Sequence, residues 1–194
     1  DFRSLVDYDI YYRRLSAAGV PLAGESSLAS SNALYGDPAV AHNSAGDGYL
    51  VVWQEISSPE SGFEIVGRRL SGTATPLPGL ILVSRDTDAH NEGLARVTYN
   101  PIAGNYLVVW HAYTGDVWRI WGQRISAQGA LLGSNFPISD GLGPAQNPRI
   151  ALNRAANEVL VVWQDYRNGR ADVFGQRLGA AGGLLGGNLA IAAE

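Results

Sequence analysis

The sequence contains no cysteine, no methionine and no lysine, so all 14 of its basic residues are arginines. Without cysteine, disulfide bonds and thiolate metal sites are excluded. Without methionine, we expect the 194-residue chain to be a processed product or a segment of a longer protein. No apolar run approaches the roughly 18 residues of a membrane-spanning helix, which predicts that no segment spans a membrane.

The chain also lacks a basic field. Its formal net charge is −4, which excludes the electrostatic attraction that a phosphate backbone or an anionic membrane surface needs. Nucleic acid is therefore not an expected partner. The 24 glycines and 9 prolines indicate many turns, and hence short strands rather than long helices.

One apolar pentapeptide recurs along the chain. Tyr-Leu-Val-Val-Trp occupies 49–53 and 106–110, and Val-Leu-Val-Val-Trp occupies 159–163. An asparagine lies six residues before each copy, at Asn43, Asn100 and Asn153, and Gly- or Asn-containing segments fill the interval. This pattern predicts a strand, a hairpin turn and a second strand in each repeat.

A second motif, rich in β-branched and aromatic residues, follows each pentapeptide and also occurs once before the first. Its four copies are Asp9–Leu15, Glu64–Leu70, Arg119–Ile125 and Asp172–Leu178. Each copy predicts a third strand, followed by a turn of small residues and a fourth strand that ends near Leu28, Val83, Ile138 or Ile191.

Four antiparallel strands in a unit of 53 to 57 residues are typical of a propeller blade. We therefore predict an all-β fold, a β-propeller of four-stranded antiparallel blades with 14 strands, or about three and a half blades. A β-solenoid is the alternative, but its coils are shorter. The predicted boundaries are a half blade at 1–30 and blades at 31–84, 85–139 and 140–194 of one repeat domain. The unmatched strand edges predict a longer propeller, or a partner that covers them, either another protein chain or a second copy.

The motifs Pro-x-Ile-Ala-x-Asn, Leu-Val-Val-Trp-x-Asp-x-Arg and Asp-Val-Phe-Gly-Gln-Arg-Leu, clearest at 148–178, resemble the repeats of sialidase-like β-propellers. The similarity is closest to the Trp-x-Asp-x-Arg repeats of large secreted and cell-surface proteins, which implies an extracellular or cell-surface location. The Asp box of sialidases, Ser-x-Asp-x-Gly-x-x-Trp, is degenerate here. The turns Ser16–Gly19 and Ser126–Gly129 keep the serine and glycine but have neither the aspartate nor the tryptophan.

Residues that recur in every unit are expected to be structural. Arg14, Arg69, Arg124 and Arg177 are predicted to lay their stems along the sheets and to bind neighbouring carboxylates or carbonyls, with ligand binding as the alternative. Trp53, Trp110 and Trp163 are predicted to fill the core between blades, with sugar stacking as the alternative.

Function is expected in the loops that differ between units, on the rim where the second-to-third strand and the blade-to-blade connections meet. The candidate ligand-binding residues are Asp86, Asp88, His90, Asn91, His111, Tyr113, Asp116, Trp118, Asp165 and Arg167. Asp86, Asp88 and Asn91 supply oxygen atoms of the kind that Ca²⁺ binds, but the further acidic positions and the glycine of an EF-hand-like loop are missing, which favours a solvated loop with Asx turns. No other cofactor or metal site is predicted.

Three functions of different classes fit these patterns. The first is a non-catalytic extracellular module that acts as a scaffold or binds protein or glycan on its loop rim. The alternatives are a sialidase-like glycoside hydrolase, with carboxylates drawn from Asp88, Asp116 and Asp165, and a structural subunit of a surface filament or layer. The sequence names no catalytic residue and favours the non-catalytic function.

Overall fold

The computed structural model describes residues 8–31, 33–56, 62–85 and 90–193, and the side chain of His90 lies outside this description. The described residues form fourteen strands and no helix, which confirms the predicted all-β class and the predicted number of strands. Consequently, none of them belongs to a helix long and apolar enough to cross a membrane. The strands are β1 (Ile10–Tyr12), β2 (Ser26–Ala29), β3 (Leu34–Asn43), β4 (Gly48–Ile56), β5 (Glu64–Ser71), β6 (Ile81–Leu82), β7 (His90–Asn100), β8 (Asn105–Thr114), β9 (Val117–Ser126), β10 (Leu131–Pro137), β11 (Ala145–Asn153), β12 (Glu158–Asp165), β13 (Asp172–Gly179) and β14 (Leu184–Ala192).

The strands form one two-stranded sheet, β1–β2, and three four-stranded sheets, β3–β6, β7–β10 and β11–β14. Within each sheet, strands that follow one another in the sequence pair antiparallel. The sheets pack in chain order, and the first strand of each of the last two sheets, β7 and β11, lies against the first three strands of the sheet before it. The described sheets do not close into a ring.

The same local hydrogen bonds build every unit. The side-chain oxygen of the recurring asparagine accepts backbone N–H groups of the turn that follows it, from Ala45 and Gly46 to Asn43, from Ile102 and Ala103 to Asn100, and from Ala156 to Asn153. This Asx geometry closes the first hairpin and explains the fixed distance between asparagine and pentapeptide. The turn between the third and fourth strands is likewise repeated four times, with backbone bonds from Ser16 to Val20, Ser71 to Thr75, Ser126 to Ala130 and Gly179 to Gly183.

The first two pentapeptide strands, β4 and β8, are buried on both faces, because each lies between two sheets. Leu50 and Val52 pack forward against Tyr106, Val108 and Trp110 of the next sheet. Leu107 and Val109 do the same against Val159, Val161 and Trp163. Trp53, Trp110 and Trp163 are at most 2% exposed, which confirms that they belong to the core between sheets.

Two of the four recurring arginines, Arg69 and Arg124, connect consecutive sheets, and Arg14 is exposed. The stem of Arg69 lies 2.8 Å from where a side chain on Gly129 would begin, and its guanidinium donates to the carbonyl oxygen of Gln128. Arg124 lies in the same way against Gly182 of the last sheet. Arg177, in the last described sheet, forms an ion pair with Glu158 at 2.7 Å. The contacts of Arg69 with a carbonyl and of Arg177 with a carboxylate are of the kind predicted for this position.

Candidate functional site

The connections β8–β9, β10–β11 and β12–β13 and the start of β7 lie at one end of the sheets, which we call the loop rim. His90 at the start of β7 pairs with Tyr113 at the end of β8. Arg167, in the connection after β12, binds Asp140, in the connection before β11. An antiparallel meander places these connections at one end, so the predicted rim exists where the structure describes it.

The structure places six of the ten candidate residues in two groups and Asn91 apart from both, and three candidates lie wholly or partly outside the described residues. Asp86, Asp88 and the side chain of His90 lie outside the described residues. Asn91 is exposed near the start of β7, with a φ of 59°. The remaining candidates belong either to the β8–β9 hairpin or to the connection after β12, and no hydrogen bond among the described residues joins these two groups.

The first group is an aromatic cluster of His111, Tyr113 and Trp118. Alternation along β8 places His111 and Tyr113 on one face, and Trp118 pairs with Tyr113 across the hairpin. The ring centroid of Trp118 lies 4.7 Å from that of His111 and 5.5 Å from that of Tyr113, distances at which aromatic rings attract each other. The hairpin turns through Gly115 and Asp116, which both have positive φ, as a tight two-residue turn requires.

His111 is the electrostatically unusual member of this cluster. Its Nδ1 atom is buried without a hydrogen-bond partner. Burial, reinforced by the positive charge of Arg96 and opposed by Asp37, lowers the pKa of His111 to about 4. The imidazole is therefore neutral at neutral pH, and it serves as a ring surface rather than as a cation.

The second group is an ion cluster formed by Asp165, Arg167 and Asp140. The guanidinium of Arg167 donates to Asp165 at 2.7 and 2.8 Å and to Asp140 at 2.9 and 3.0 Å. Its Cζ atom lies 4.0 Å from the centre of the Phe174 ring. Asp140 was not among the predicted residues, because its 27-residue separation from Arg167 carries no signal in one sequence.

Asp165 is fully buried, and its two carboxylate oxygens accept four hydrogen bonds, two of which are those from the guanidinium of Arg167. Trp163 Nε1 donates at 2.9 Å and the backbone N–H of Arg167 at 3.0 Å. Burial alone favours the neutral acid, but the hydrogen bonds from Arg167 and Trp163 outweigh it and hold the pKa of Asp165 below its ordinary value. A carboxylate engaged in this way is suited to fix the rim rather than to attack or protonate a substrate.

The β7–β10 sheet lacks the hydrogen bond between tryptophan and carboxylate that Trp163 and Asp165 form. Trp53 Nε1 donates to Glu55 at 3.3 Å, and Trp163 Nε1 donates to Asp165, in each case to a carboxylate two residues further along the strand. Ala112 occupies that place in β8, and the buried Nε1 of Trp110 has no hydrogen-bond partner. Where the structure describes it, the rim of the third unit therefore combines an aromatic cluster with a buried indole N–H that has no hydrogen-bond partner.

Among the described residues, no group of three or more His, Asp or Glu side chains is placed to hold a metal ion. The Ca²⁺ prediction rests on Asp86 and Asp88 and stays a prediction. Neither a family model nor a curated protein matches this chain. The resemblance to sialidase-like repeats accordingly remains an expectation drawn from the motifs.

Proposed function

We propose that the chain is a non-catalytic propeller-type module that acts as a scaffold and associates with a second copy of itself. Three observations support blades: the four-stranded meanders, their packing in chain order, and the contact of β3 with β7 and of β7 with β11. In a propeller, the first strands of successive blades lie next to one another around the central axis. The contacts between the first strands here fit that arrangement, and they favour the three and a half blades expected from the sequence. The extracellular or cell-surface location belongs to the same proposal and rests on the resemblance.

The outward face of the last sheet carries this proposal. Four of its apolar residues are exposed, Leu160 (38%), Val173 (36%), Leu189 (47%) and Ile191 (52%). At equivalent positions the two preceding sheets bury Leu50 and Leu107, Ile65 and Ile120, and Val83 and Ile138 beneath the sheet that follows. A contiguous apolar face of this kind marks an interaction surface.

A second copy is the occupant that this surface fits best. The core clusters cover both faces of the second full sheet and the inner face of the last one, and they cover the first full sheet except around Val40, which is 61% exposed. Among the described residues, the more extended exposed apolar sheet face is the outward face of the last sheet. Two identical outward faces then pack sheet on sheet about a two-fold axis, which covers both of them.

Sedimentation velocity over a range of chain concentrations tests this function. We expect a concentration-dependent dimer for the unchanged protein and a monomer for Leu160→Glu, because burying the new carboxylate is unfavourable. Ile102→Glu is the matched control, since Ile102 is 62% exposed in the β7–β8 turn, away from this face. A chain that is monomeric throughout, or a dimer that survives Leu160→Glu, contradicts the proposal.

Glycan binding on the loop rim is the second candidate function, and the aromatic cluster favours it. Tyr113 is exposed, and the Trp118 ring is half-buried beside it, so the two offer an apolar ring surface at the rim. Titrating a soluble glycan panel against the protein and against Trp118→Ala tests this function. Saturable binding that Trp118→Ala abolishes supports it, and no binding by the unchanged protein rejects it. The hydrolase alternative has no comparable support, because the carboxylate of Asp165 already accepts four hydrogen bonds and is not placed to attack or protonate a substrate.

A further inference from the structure

Two arginines occupy equivalent places on neighbouring first strands. Arg96 in β7 pairs with Val109, the fourth residue of its pentapeptide. Arg149 in β11 likewise pairs with Val162, the fourth residue of the last pentapeptide. The residue at this place in β3 is Ala39. These two arginines therefore belong to the positions at which the units differ, unlike the arginine that recurs in every unit.

The two guanidiniums lie within electrostatic reach of each other, because β7 and β11 pack side by side. Burial and the positive charge of Arg149 lower the pKa of Arg96, and the carboxylate of Asp37 in β3 opposes them. Like charges that are held near each other repel, and an anion bound to both offsets this repulsion. The pair is therefore a local concentration of positive charge in a chain whose net charge is −4.

Both guanidiniums keep hydrogen-bond donors for a ligand. In Arg96 and in Arg149 the Nη1 atom donates to a carbonyl oxygen of the same strand. The acceptor is the preceding residue in each case, Ala95 at 2.7 Å and Pro148 at 2.8 Å. Where the chain is described, neither guanidinium forms a further hydrogen bond or an ion pair. Because a guanidinium has five N–H donors in a planar fork, the backbone contact fixes its orientation and leaves donors available.

We propose that Arg96 and Arg149 together bind a tetrahedral divalent oxyanion, the group present in inorganic sulfate, inorganic phosphate and phosphate monoesters. Its two negative charges match the two guanidiniums, and its oxygen atoms accept from both planar forks at once. A single carboxylate carries one charge and fills one fork, so it leaves the second guanidinium without a partner. Arg149 is exposed and Arg96 is half-buried, so the anion reaches the pair from solvent while water competes less for its bonds to Arg96.

The carboxylate of Asp37 acts against the bound anion. Asp37 is exposed, and its charge acts on Arg96 although the two side chains form no ion pair. Its negative charge repels an anion held at Arg96, so removing this charge is expected to tighten binding. The site therefore predicts opposite effects for the loss of a positive charge at Arg96 and the loss of a negative charge at Asp37.

A nuclear magnetic resonance titration of the full chain with sodium sulfate, at constant ionic strength, tests the site. We expect the backbone amide signals of Arg96 and Arg149 to shift together and to saturate. Arg96→Gln is expected to weaken the affinity roughly tenfold or more, because it removes charge-assisted hydrogen bonds. Arg154→Gln is the matched control, since Arg154 is exposed in the β11–β12 turn and loses the same charge. Its affinity for sulfate is expected to stay unchanged.

Three further titrations complete the test. Asp37→Asn is expected to bind sulfate more tightly than the unchanged protein, and acetate is expected to bind the unchanged protein more weakly than sulfate. Inorganic phosphate is titrated in the same way, and the anion that saturates at the lower concentration identifies the preferred group. Shifts that rise linearly with both sulfate and phosphate indicate an adventitious ion only and overturn the proposal. Equal sulfate affinity for Arg96→Gln and the unchanged protein, or acetate binding as tight as sulfate binding, also overturns it.

Discussion

The guanidinium of Arg69 donates a 2.7 Å hydrogen bond to the carbonyl oxygen of Gln128 in the next sheet. To reach that oxygen, the arginine stem crosses Gly129, whose φ is 92°. The same crossing recurs where Arg124 meets Gly182. The contact joins two neighbouring repeats, because the recurring arginine of one repeat lies against the turn glycine of the next.

Gly129→Ala is expected to lower the free energy of unfolding more than the same substitution at another glycine with similar positive φ. Left-handed φ costs a side chain about 1–2 kcal/mol, and at Gly129 the new methyl also meets the Cδ atom of Arg69 at 2.8 Å. Gly133→Ala is the control, because Gly133 has a φ of 78° and nothing within 4 Å of the added carbon. Urea denaturation measures both. Equal losses for the two variants contradict the Arg69 contact, and Arg69→Ala should reduce the cost of Gly129→Ala.

Trp163→Phe is expected to destabilise the protein more than Trp110→Phe. Both changes remove the same atoms from a buried indole, but only Trp163 Nε1 has a partner, Asp165. Removing one side of a buried hydrogen bond costs about 1–3 kcal/mol, whereas removing an unpartnered N–H does not carry this cost. The difference between the two unfolding free energies is the measured quantity. A loss for Trp110→Phe as large as that for Trp163→Phe would show that Trp110 is satisfied.

Asp165→Asn is expected to lower the unfolding free energy by about 3 kcal/mol, because Arg167 then keeps a partly buried charge without its main partner. Asp116→Asn should change it by less than about 0.5 kcal/mol, since Asp116 is exposed and asparagine tolerates its positive φ. Thermal and urea unfolding at neutral pH compare the two. A tolerated Asp165→Asn would contradict the structural role assigned to this carboxylate.

His111→Gln is expected to make stability less dependent on pH in mild acid. The pKa of His111 falls from its ordinary 6.5 to about 4 in the folded chain, so the unfolded chain binds more protons between these values. The stabilisation is therefore complete above about pH 6.5 and is lost as the pH falls towards 4. Glutamine occupies the same place in β4 and β12, as Gln54 and Gln164, and keeps the local shape. Unfolding free energies at pH 7 and pH 4.5 should differ less for the variant; an identical difference refutes the shift.

The repeats made most of the fold predictable from the sequence. The three pentapeptides and four arginine motifs specify fourteen strands, because apolar alternation and turn residues determine structure locally and recur from repeat to repeat. The β-bulges in the first strands were not predictable in the same way. They place Asp37, Leu94 and Asn147 at positive φ, and Leu94 carries no turn signal that would reveal it.

The candidate site was predicted less completely, because its contacts join loops that are distant in sequence. The aromatic cluster follows from the hairpin register, which the sequence indicates. The bonds from Arg167 to Asp140 depend instead on how two connections meet at the rim, which neither segment encodes alone. The unpartnered Nε1 of Trp110 follows from Ala112, which stands where the other two units have a carboxylate.

Thiol labelling at the outward face of the last sheet tests the central claim most directly. The chain has no cysteine, so Ile191→Cys and the control Ile102→Cys each introduce a single, initially exposed thiol. If a second copy covers the outward face, labelling of Ile191→Cys slows as the chain concentration rises, while labelling of Ile102→Cys keeps its rate. Equal rates for Ile191→Cys at all concentrations, with the control unchanged, would contradict self-association through this face.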